Sequence, residues 1–444
     1  MREETRDVLL EQFIPHLHPL YLKQEGLGLS EAPEVAEWDA KEIYLNNNHL
    51  FELPEKPNCP SLVTLFLQGN YDLLEIPSSF FECMPMLQVL DLSHASIKSL
   101  PASISGLVSL QELFLRGCEL LMELPPEIGA LLKLQVLDLE GTEIMYLPKE
   151  ISGLTKLECL EVSLYGYGKS YREDKQICKR IPAGSLASLC KLKALSIDVN
   201  PDDDEWKLSE FGNENLVELK FCLLAECNEL QTIIDGEEIC TEGAQMCESG
   251  VDKKLVFNSL EYLGIHCMMN LRSIWEGPIG KDCLSKLKYM ALHSCPNLTS
   301  IFTASLLGNL DNLEELIIED CPQINSLVSQ ESSCFEPKPF LPSLKKTSLL
   351  DLPELVSISS GLLFAPKLER IIIYACPMLE SLSPMELSSN DLKVIKGEIE
   401  WWNSLKWLES DWSSRQKDYM ANVFVELRRD ASLMDQLAES GNSM

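Results

Sequence analysis

The chain has 444 residues, of which 45% are hydrophobic and 24% are charged, so it has enough apolar side chains for a large core. Its formal net charge of -32 at pH 7 argues against nucleic acid or an anionic membrane as the main partner, because both would repel such a surface. The first residues lack the apolar stretch of a signal peptide, and no run of about 18 apolar residues predicts a membrane span.

The sequence divides into a leader, a repetitive region and a different C-terminal segment. Residues 1–39 carry no repeat and are predicted to form an N-terminal leader and cap. From about residue 40, a Leu-x-x-Leu-x-Leu block recurs. Clear copies begin at Leu62, Leu87, Leu110, Leu134, Leu157, Leu192, Leu216, Leu260, Leu287, Leu313, Leu344 and Leu368, with weaker copies at residues 43–45 and 392–395.

The early intervals of 25, 23, 24 and 23 residues fall within the range of leucine-rich repeats. In each block, alternation directs the leucines to one face of a short strand, and stacked parallel strands bury them in a continuous interior. The predicted fold is therefore an α/β leucine-rich-repeat solenoid over residues 40–396, with about 13–14 repeats. Such a horseshoe has a parallel β-sheet on its concave face and short helical or irregular convex segments.

A turn position follows each strand, and its side chain is expected to satisfy buried backbone groups. It is occupied by asparagine, threonine or cysteine: Asn48, Asn70, Cys118, Thr142, Cys295, Cys321 and Cys376. Cysteine acts there as a small, weakly polar filler. Because this gives several of the 16 cysteines a structural position, we interpret them as reduced thiols of a cytoplasmic protein.

The repeats fall into two halves of different chemistry. Repeats in residues 40–190 end with the motif Leu-Pro-x-x-Ile, in which proline favours a short helical or extended segment. Repeats in residues 255–396 instead have a Cys-Pro motif. Insertions are predicted near residues 165–181 and 235–254, with further loops at 201–205 and 329–339, and solvated loops are the favoured interpretation.

Residues 397–444 break the repeat pattern and are predicted to form a tryptophan-rich cap followed by a helical tail. Trp401 and Trp402 are large enough to cover the leucines at an open solenoid end. Helical spacing of apolar residues predicts the tail, at Met420, Phe424, Leu427, Ala431 and Met434.

The candidate site is a protein-binding surface on the concave face. Counting each repeat from its first leucine, positions three, five and seven point away from the core. Aromatic and arginine side chains there are the types enriched at binding hot spots. The candidates are Tyr44, Phe66, Phe114, Arg116, Tyr262, His266, Tyr289, His293, Glu315 and Glu319.

Three of these candidates also allow a metal-site hypothesis. His266, His293 and Glu319 occupy position seven of successive repeats, and neighbouring strands lie roughly 4.8 Å apart. A His-His-Glu set can bind zinc. The alternative is a polar and aromatic contact patch, which we favour, so no metal ligand is assigned.

The segment from Tyr21 to Trp38, YLKQEGLGLSEAPEVAEW, is followed by the Leu-Pro repeats and then by the Cys-Pro repeats. In this order the chain resembles the repeat region of plant disease resistance proteins of the coiled-coil, nucleotide-binding, leucine-rich-repeat class. The resemblance implies an immune sensor whose repeats recognise a pathogen effector or a guarded host protein and hold a nucleotide-binding switch inactive.

The chain itself contains no phosphate-binding loop of the form G-x-x-x-x-G-K-[ST]. Gly168, Lys169 and Ser170 match its last three letters, but Ser163 stands where the first glycine is needed. We therefore expect neither a nucleotide-binding region nor a cofactor in this chain.

Other functions predict features that this sequence lacks. A generic cytosolic adaptor or scaffold, such as the substrate-binding part of a ubiquitin ligase, is the main alternative, although residues 1–40 look too short for a recruitment domain. An extracellular receptor would show a signal peptide and paired capping cysteines. An enzyme is the least favoured class, because no catalytic motif such as H-E-x-x-H or G-x-S-x-G occurs.

Overall fold

The structure is a computed structural model that describes residues 26–33, 38, 40–165, 181, 185–199, 216–228, 230–235, 257–277, 283–328, 339–358, 363–380, 382, 391–406 and 414–427. The chain comprises two compact units, Met1–Glu229 and Leu230–Met444. Each unit is built around a parallel β-sheet.

In the first unit, each strand pairs in parallel with the next strand along the chain. The strands are β1 (Glu42–Tyr44), β2 (Thr64–Phe66), β3 (Val89–Asp91), β4 (Glu112–Phe114), β5 (Val136–Leu139), β6 (Cys159–Leu164), β7 (Ala194–Val199) and β8 (Phe221–Ala225). The opposite side carries short 3₁₀ helices at Phe80–Cys83, Ala102–Gly106, Pro126–Ala130, Lys149–Gly153 and Leu186–Ser188.

The second unit repeats this architecture with one addition. Its strands are β9 (Thr232–Asp235), β10 (Tyr262–His266), β11 (Ser273–Glu276), β12 (Tyr289–His293), β13 (Glu315–Glu319), β14 (Lys346–Leu350), β15 (Arg370–Tyr374), β16 (Val394–Gly397) and β17 (Phe424–Glu426). Strands β10 and β12 to β17 form the parallel sheet, and β9 with β11 forms a separate two-stranded sheet. The helices are α1 (Ala304–Leu307), α2 (Ile399–Ser404) and α3 (Ser414–Val423).

The repeat leucines form the core, as the sequence predicts. In β12, burial alternates along the strand, with Met290 and Leu292 buried between half-exposed neighbours. Each fully buried leucine contributes roughly 1.5–3 kcal/mol to folding. The leucine-rich-repeat fold is therefore confirmed. The prediction that the Leu-Pro motif introduces a short helical segment is also confirmed. A 3₁₀ helix begins immediately after each of Pro101, Pro125 and Pro148.

The side chain after each strand supports the turn. The Asn70 amide nitrogen donates to the carbonyls of Leu45 (2.9 Å) and Leu67 (2.7 Å), and its oxygen accepts from Leu50 N (3.3 Å). The cysteines do this more weakly: the Cys118 thiol donates to Leu92 O at 3.1 Å, and burial raises its pKa to about 12. The cysteine at this turn is thus an inert structural thiol.

The residue just before this turn side chain adopts a left-handed backbone, which the sequence did not predict. Its φ lies between 51° and 71° in eleven repeats. Most of these residues are not glycine, so the repeat geometry imposes a conformation that ordinary side chains rarely adopt. Because the same turn recurs at Asp320, Asp351 and Ala375, side chains at this position line up along one edge of the sheet.

One predicted repeat frame is wrong. We expected Leu216, Leu219 and Phe221 to be the inward residues, but β8 pairs Leu195 with Cys222 and Ile197 with Leu224. The true frame is therefore Leu219-x-x-Cys222-x-Leu224, three residues later. The cause of the error is that Cys222 replaces a leucine, so a spurious leucine triplet matched the pattern.

A ladder of alternating charge marks the start of the strands in the second unit. Three lysine–glutamate pairs join successive repeats: Lys288–Glu261 at 2.6 Å, Lys345–Glu314 at 2.8 Å and Lys393–Glu369 at 2.7 Å. Exposed pairs of this kind each add well under about 1 kcal/mol.

Tryptophans of the leader and of the C-terminal segment pack against neighbouring repeats, and the C-terminal helix is shorter than expected. Trp38 is buried and packs edge-on against Phe80 at 5.6 Å. At the other end, Trp401 is buried and its indole nitrogen donates to Leu379 O at 2.9 Å. The helical tail, however, ends at Val423, and Phe424–Glu426 is strand β17.

The reason for the change from helix to strand is local. Phe424 stacks on Trp402 at 4.3 Å, and its strand pairs with β16, while β-branched Val423 and Val425 favour extended backbone. The tail residues Ala431 and Met434 lie outside the described residues, as do most of the predicted insertions and the Gly168–Ser170 segment. No described helix is long and apolar enough to cross a bilayer.

Candidate protein-binding surface

The six candidates of the second unit lie on one open sheet face in the predicted register. We call them the Tyr-His-Glu patch: Tyr262, His266, Tyr289, His293, Glu315 and Glu319. Position three aligns Tyr262 with Tyr289 and Tyr289 with Glu315, and position seven aligns His266 with His293 and His293 with Glu319. Strands β10, β12 and β13 thus bring residues from three repeats into one continuous surface.

The patch is less exposed than the sequence suggested. We expected every member to be solvent-exposed, but Tyr262 is only 6% exposed and the others are half-buried. The physical cause is that large side chains on strands about 4.8 Å apart cover one another. Burial, reinforced by the nearby Glu315 carboxylate, raises the pKa of Tyr262 to about 12. Tyr262 therefore supports the patch from beneath, and Tyr289 and His293 present its accessible surface.

The imidazoles and Glu319 form a loose polar contact and not a preformed metal site. The His266 and His293 rings lie 5.5 Å apart, and His293 Nε2 is 3.9 Å from Glu319 Oε2. Burial raises the pKa of Glu319, although the nearby His293 opposes this shift. These three side chains are not among the described groups that converge closely enough to share a metal ion. We therefore retain the contact-patch interpretation.

In the first unit, the predicted aromatic residues are only partly brought together. The rings of Tyr44 and Phe66 stack at 5.3 Å with an interplanar angle of 15°, and the Tyr44 hydroxyl donates to Glu42 at 2.8 Å. Phe114 is separated from Phe66 by Asp91, which lies between them in the strand register. Two of the three candidate aromatic side chains thus form a stacked pair at one end of the sheet, and Phe114 is not part of it.

Arg116 was expected to be an exposed arginine, and the structure corrects this. Its side chain is only 26% exposed and makes three ion pairs: with Asp138 at 2.9 Å, Glu140 at 2.6 Å and Glu161 at 2.8 Å. The carboxylates of Asp138, Glu140 and Glu161 all lie within 4.8 Å of one another, a spacing that could hold a metal ion. In this structure the Arg116 guanidinium is the positive charge that these three carboxylates share.

The sequence analysis did not predict that several carboxylates on the open sheet face are buried. Asp91, Asp138 and Glu161 all occupy position five, and each is at most 6% exposed. Burial raises the pKa of Asp91, although Ser93 donates hydrogen bonds to it. The signal was present in the sequence, because an acidic residue stands between the two inward residues of each of these strands.

Comparison with known proteins shows which proteins this chain is similar to. A family model described as "Plant disease resistance protein RPS2-like, leucine-rich repeats" matches residues 169–322, and one described as "Leucine rich repeat" matches residues 60–120. The chain is 29% identical to the Arabidopsis thaliana disease resistance protein UNI over 89% of its own length and 42% of that protein. It is 27% identical to disease resistance protein RPS5 of the same plant, over 86% of the chain and 41% of RPS5.

The chain thus spans about four-tenths of the length of these two relatives. A shorter segment is 52% identical to disease resistance protein RFL1 of Arabidopsis thaliana, over 21% of the chain and 11% of that protein. Among solved structures, the functional domain of InlJ from Listeria monocytogenes matches with a TM-score of 0.51 and 14% identity, over 83% of this chain and 66% of that one. That similarity shows the fold alone. The chain is a leucine-rich-repeat solenoid that is similar, over most of its length, to part of each of several plant disease resistance proteins.

Proposed function

We propose that this chain is the recognition surface of an immune sensor, and that its partner binds the open sheet face of the second unit. The partner is a pathogen effector, a guarded host protein or the nucleotide-binding domain of a receptor. Binding to that domain would hold the switch inactive. The proposal includes action in the cytoplasm, by binding and not by catalysis, and without a cofactor of its own.

The Tyr-His-Glu patch is the observation that carries the proposal. It brings aromatic and imidazole side chains of β10 and β12 and carboxylates of β13 into one register, on a face that the leucine core does not use. All of its members except the buried Tyr262 are half-exposed. Partly exposed aromatic groups that can be fully desolvated by a partner are typical of binding hot spots. A cytoplasmic setting is supported by the described cysteines, all of which are free thiols.

The double variant Tyr289→Ala, His293→Ala tests the patch. Loss of hot-spot contacts costs about 2 kcal/mol or more, which weakens binding by about 30-fold. We expect this loss in a titration with the nucleotide-binding domain of the cognate receptor, or with the recognised effector or host protein. The urea midpoint should change little, because neither side chain belongs to the leucine core.

The matched control removes the same two side-chain types elsewhere, as Tyr71→Ala, His49→Ala. Tyr71 is 63% exposed and lies off the sheet, and the His49 side chain is 67% exposed. The control should bind every partner as the parent chain does. Equal loss in both variants would show that the patch is not the contact surface, and unchanged binding in both would place recognition elsewhere.

A further inference from the structure

Two cysteines occupy the same turn position in adjacent repeats of the second unit. Cys295 follows β12 and Cys321 follows β13, each as the second residue after its strand. The register that pairs His293 with Glu319 therefore also places Cys295 beside Cys321. Both cysteine side chains are fully buried, and both are free thiols. We call these two residues the thiol pair.

The two sulfur atoms of the thiol pair interact directly. The Cys295 thiol donates a hydrogen bond to the Cys321 sulfur, which lowers the pKa of Cys321 although burial opposes this shift. The same hydrogen bond, together with burial, raises the pKa of Cys295. One thiol is thus held as a donor, and the other is favoured as a thiolate, which is the form of cysteine that attacks oxidants.

This contact distinguishes the thiol pair from Cys118 and Cys376, which occupy the same turn position elsewhere. Cys118 lies between Ala95 and Thr142 at the equivalent position of its neighbouring repeats, and Cys376 follows Leu352. Burial raises the pKa of both Cys118 and Cys376 to about 12. These two cysteines therefore share the burial of the thiol pair but not its contact between sulfurs, and they serve as internal references.

The spacing of the repeats suits a disulfide between the two sulfurs. Adjacent strands lie about 4.8 Å apart, and a disulfide joins residues whose Cα atoms are about 4.4–6.8 Å apart. The turn residues immediately before the thiol pair lie at the surface, because Ser294 is half-exposed and Asp320 is exposed. A molecule as small as hydrogen peroxide therefore needs only a local opening of these turns to reach the thiols.

We propose that the thiol pair is a site of reversible oxidation, at which hydrogen peroxide forms a disulfide between Cys295 and Cys321. The Cys321 thiolate attacks the peroxide, whose O–O bond breaks; one oxygen leaves and takes up protons to become water, and the sulfur becomes a sulfenic acid. The Cys295 sulfur then attacks the Cys321 sulfur, and the hydroxyl group departs as a second water. Together the two thiols give up two electrons and two protons, which convert one peroxide into two waters.

Oxidation alters the hydrogen bonding of the backbone beneath the Tyr-His-Glu patch. The Cys295 thiol also lies 3.6 Å from the carbonyl oxygen of His293, and the Cys321 thiol donates to the carbonyl of Glu319 at 3.4 Å. A disulfide has no S–H group, so both carbonyls lose this contact. An effect of oxidation on partner binding rests on the proposed function, whereas formation of the disulfide does not.

The test treats the folded full chain with hydrogen peroxide and then unfolds it in N-ethylmaleimide, which blocks the remaining thiols. Digestion with Glu-C protease, which cleaves after glutamate and so separates the two cysteines, is followed by mass spectrometry without reductant. We expect a disulfide between Cys295 and Cys321 that dithiothreitol reverses. Cys118 and Cys376 should be recovered as maleimide adducts, at least tenfold less oxidised than the thiol pair.

The variant Cys321→Ser removes one partner of the pair, and Cys118→Ser is the matched control at the same turn position. Oxidation of Cys295 should fall at least tenfold in Cys321→Ser and stay unchanged in Cys118→Ser. The proposal is overturned if Cys295 is oxidised equally in both variants, or if it links to the half-exposed Cys267 instead.

Absence of the disulfide from the oxidised parent chain, or equal oxidation of Cys118 and Cys376, would also overturn the proposal. This comparison within the parent chain does not depend on the folding of any variant. The measurement needs no partner protein, so its failure leaves the result for Tyr289→Ala, His293→Ala unaffected. The two proposals can thus fail separately.

Discussion

Replacing Arg116 with methionine should destabilise the chain by about 3–5 kcal/mol, the usual cost of removing one partner from a buried ionic group. The change keeps much of the side-chain volume but removes the charge that Asp138, Glu140 and Glu161 share. These carboxylate side chains are 9%, 20% and 6% exposed, so water can replace the guanidinium only in part. Urea denaturation followed by circular dichroism measures the loss.

A second change separates lost charge from lost packing. In the Arg116→Met background, Glu161→Gln should recover part of the stability, because one uncompensated charge is removed. If Arg116→Met has the same urea denaturation midpoint as the parent chain, the three ion pairs contribute nothing to the free energy of unfolding. The carboxylates must then be stabilised in another way.

Asn70→Ala is the second change with a large expected effect, about 3 kcal/mol or more. In a fully buried site, it leaves the carbonyl of Leu67 and the amide of Leu50 without their hydrogen bond to Asn70, and it removes one of the two side-chain donors to Leu45 O. Each buried polar group left unsatisfied costs about 1–3 kcal/mol. The measurement is the midpoint of urea denaturation, read as a stability change only if the slope is preserved.

The matched variant is Cys118→Ala, at the same turn position of a later repeat. The Cys118 thiol makes one weak hydrogen bond, to Leu92 O, so its loss should cost only about 1–2 kcal/mol. A larger loss for Cys118→Ala than for Asn70→Ala would show that this position matters for packing and not for turn hydrogen bonds.

The fold was predictable because its signal is repeated. A leucine triplet every two dozen residues determines the strand, its inward face and its parallel neighbour, so even the pairing of His266 with His293 followed from counting. The prediction was wrong in one repeat, where a leucine of the pattern is replaced by another residue. At β8, Cys222 fills a leucine position, and only the pairing with Leu195 reveals the frame.

The site was less predictable because exposure depends on neighbours that no single repeat specifies. Tyr262 and Tyr289 occupy the same position, yet the first is buried and the second is half-exposed. Arg116 reads as a free surface arginine until Asp138 and Glu161 are placed beside it on the next strands.

Hydroxyl-radical footprinting of the chain, alone and with its bound partner protein, tests the central claim most directly. The open sheet face is the proposed recognition surface, so labelling of Tyr289 and His293 should fall sharply in the complex. Labelling of Tyr71 and Met122, which are 63% and 51% exposed and lie off the sheet, should stay the same. Protection of Tyr71 and Met122 with Tyr289 and His293 labelled as before would contradict the account, because the partner would then bind away from the Tyr-His-Glu patch.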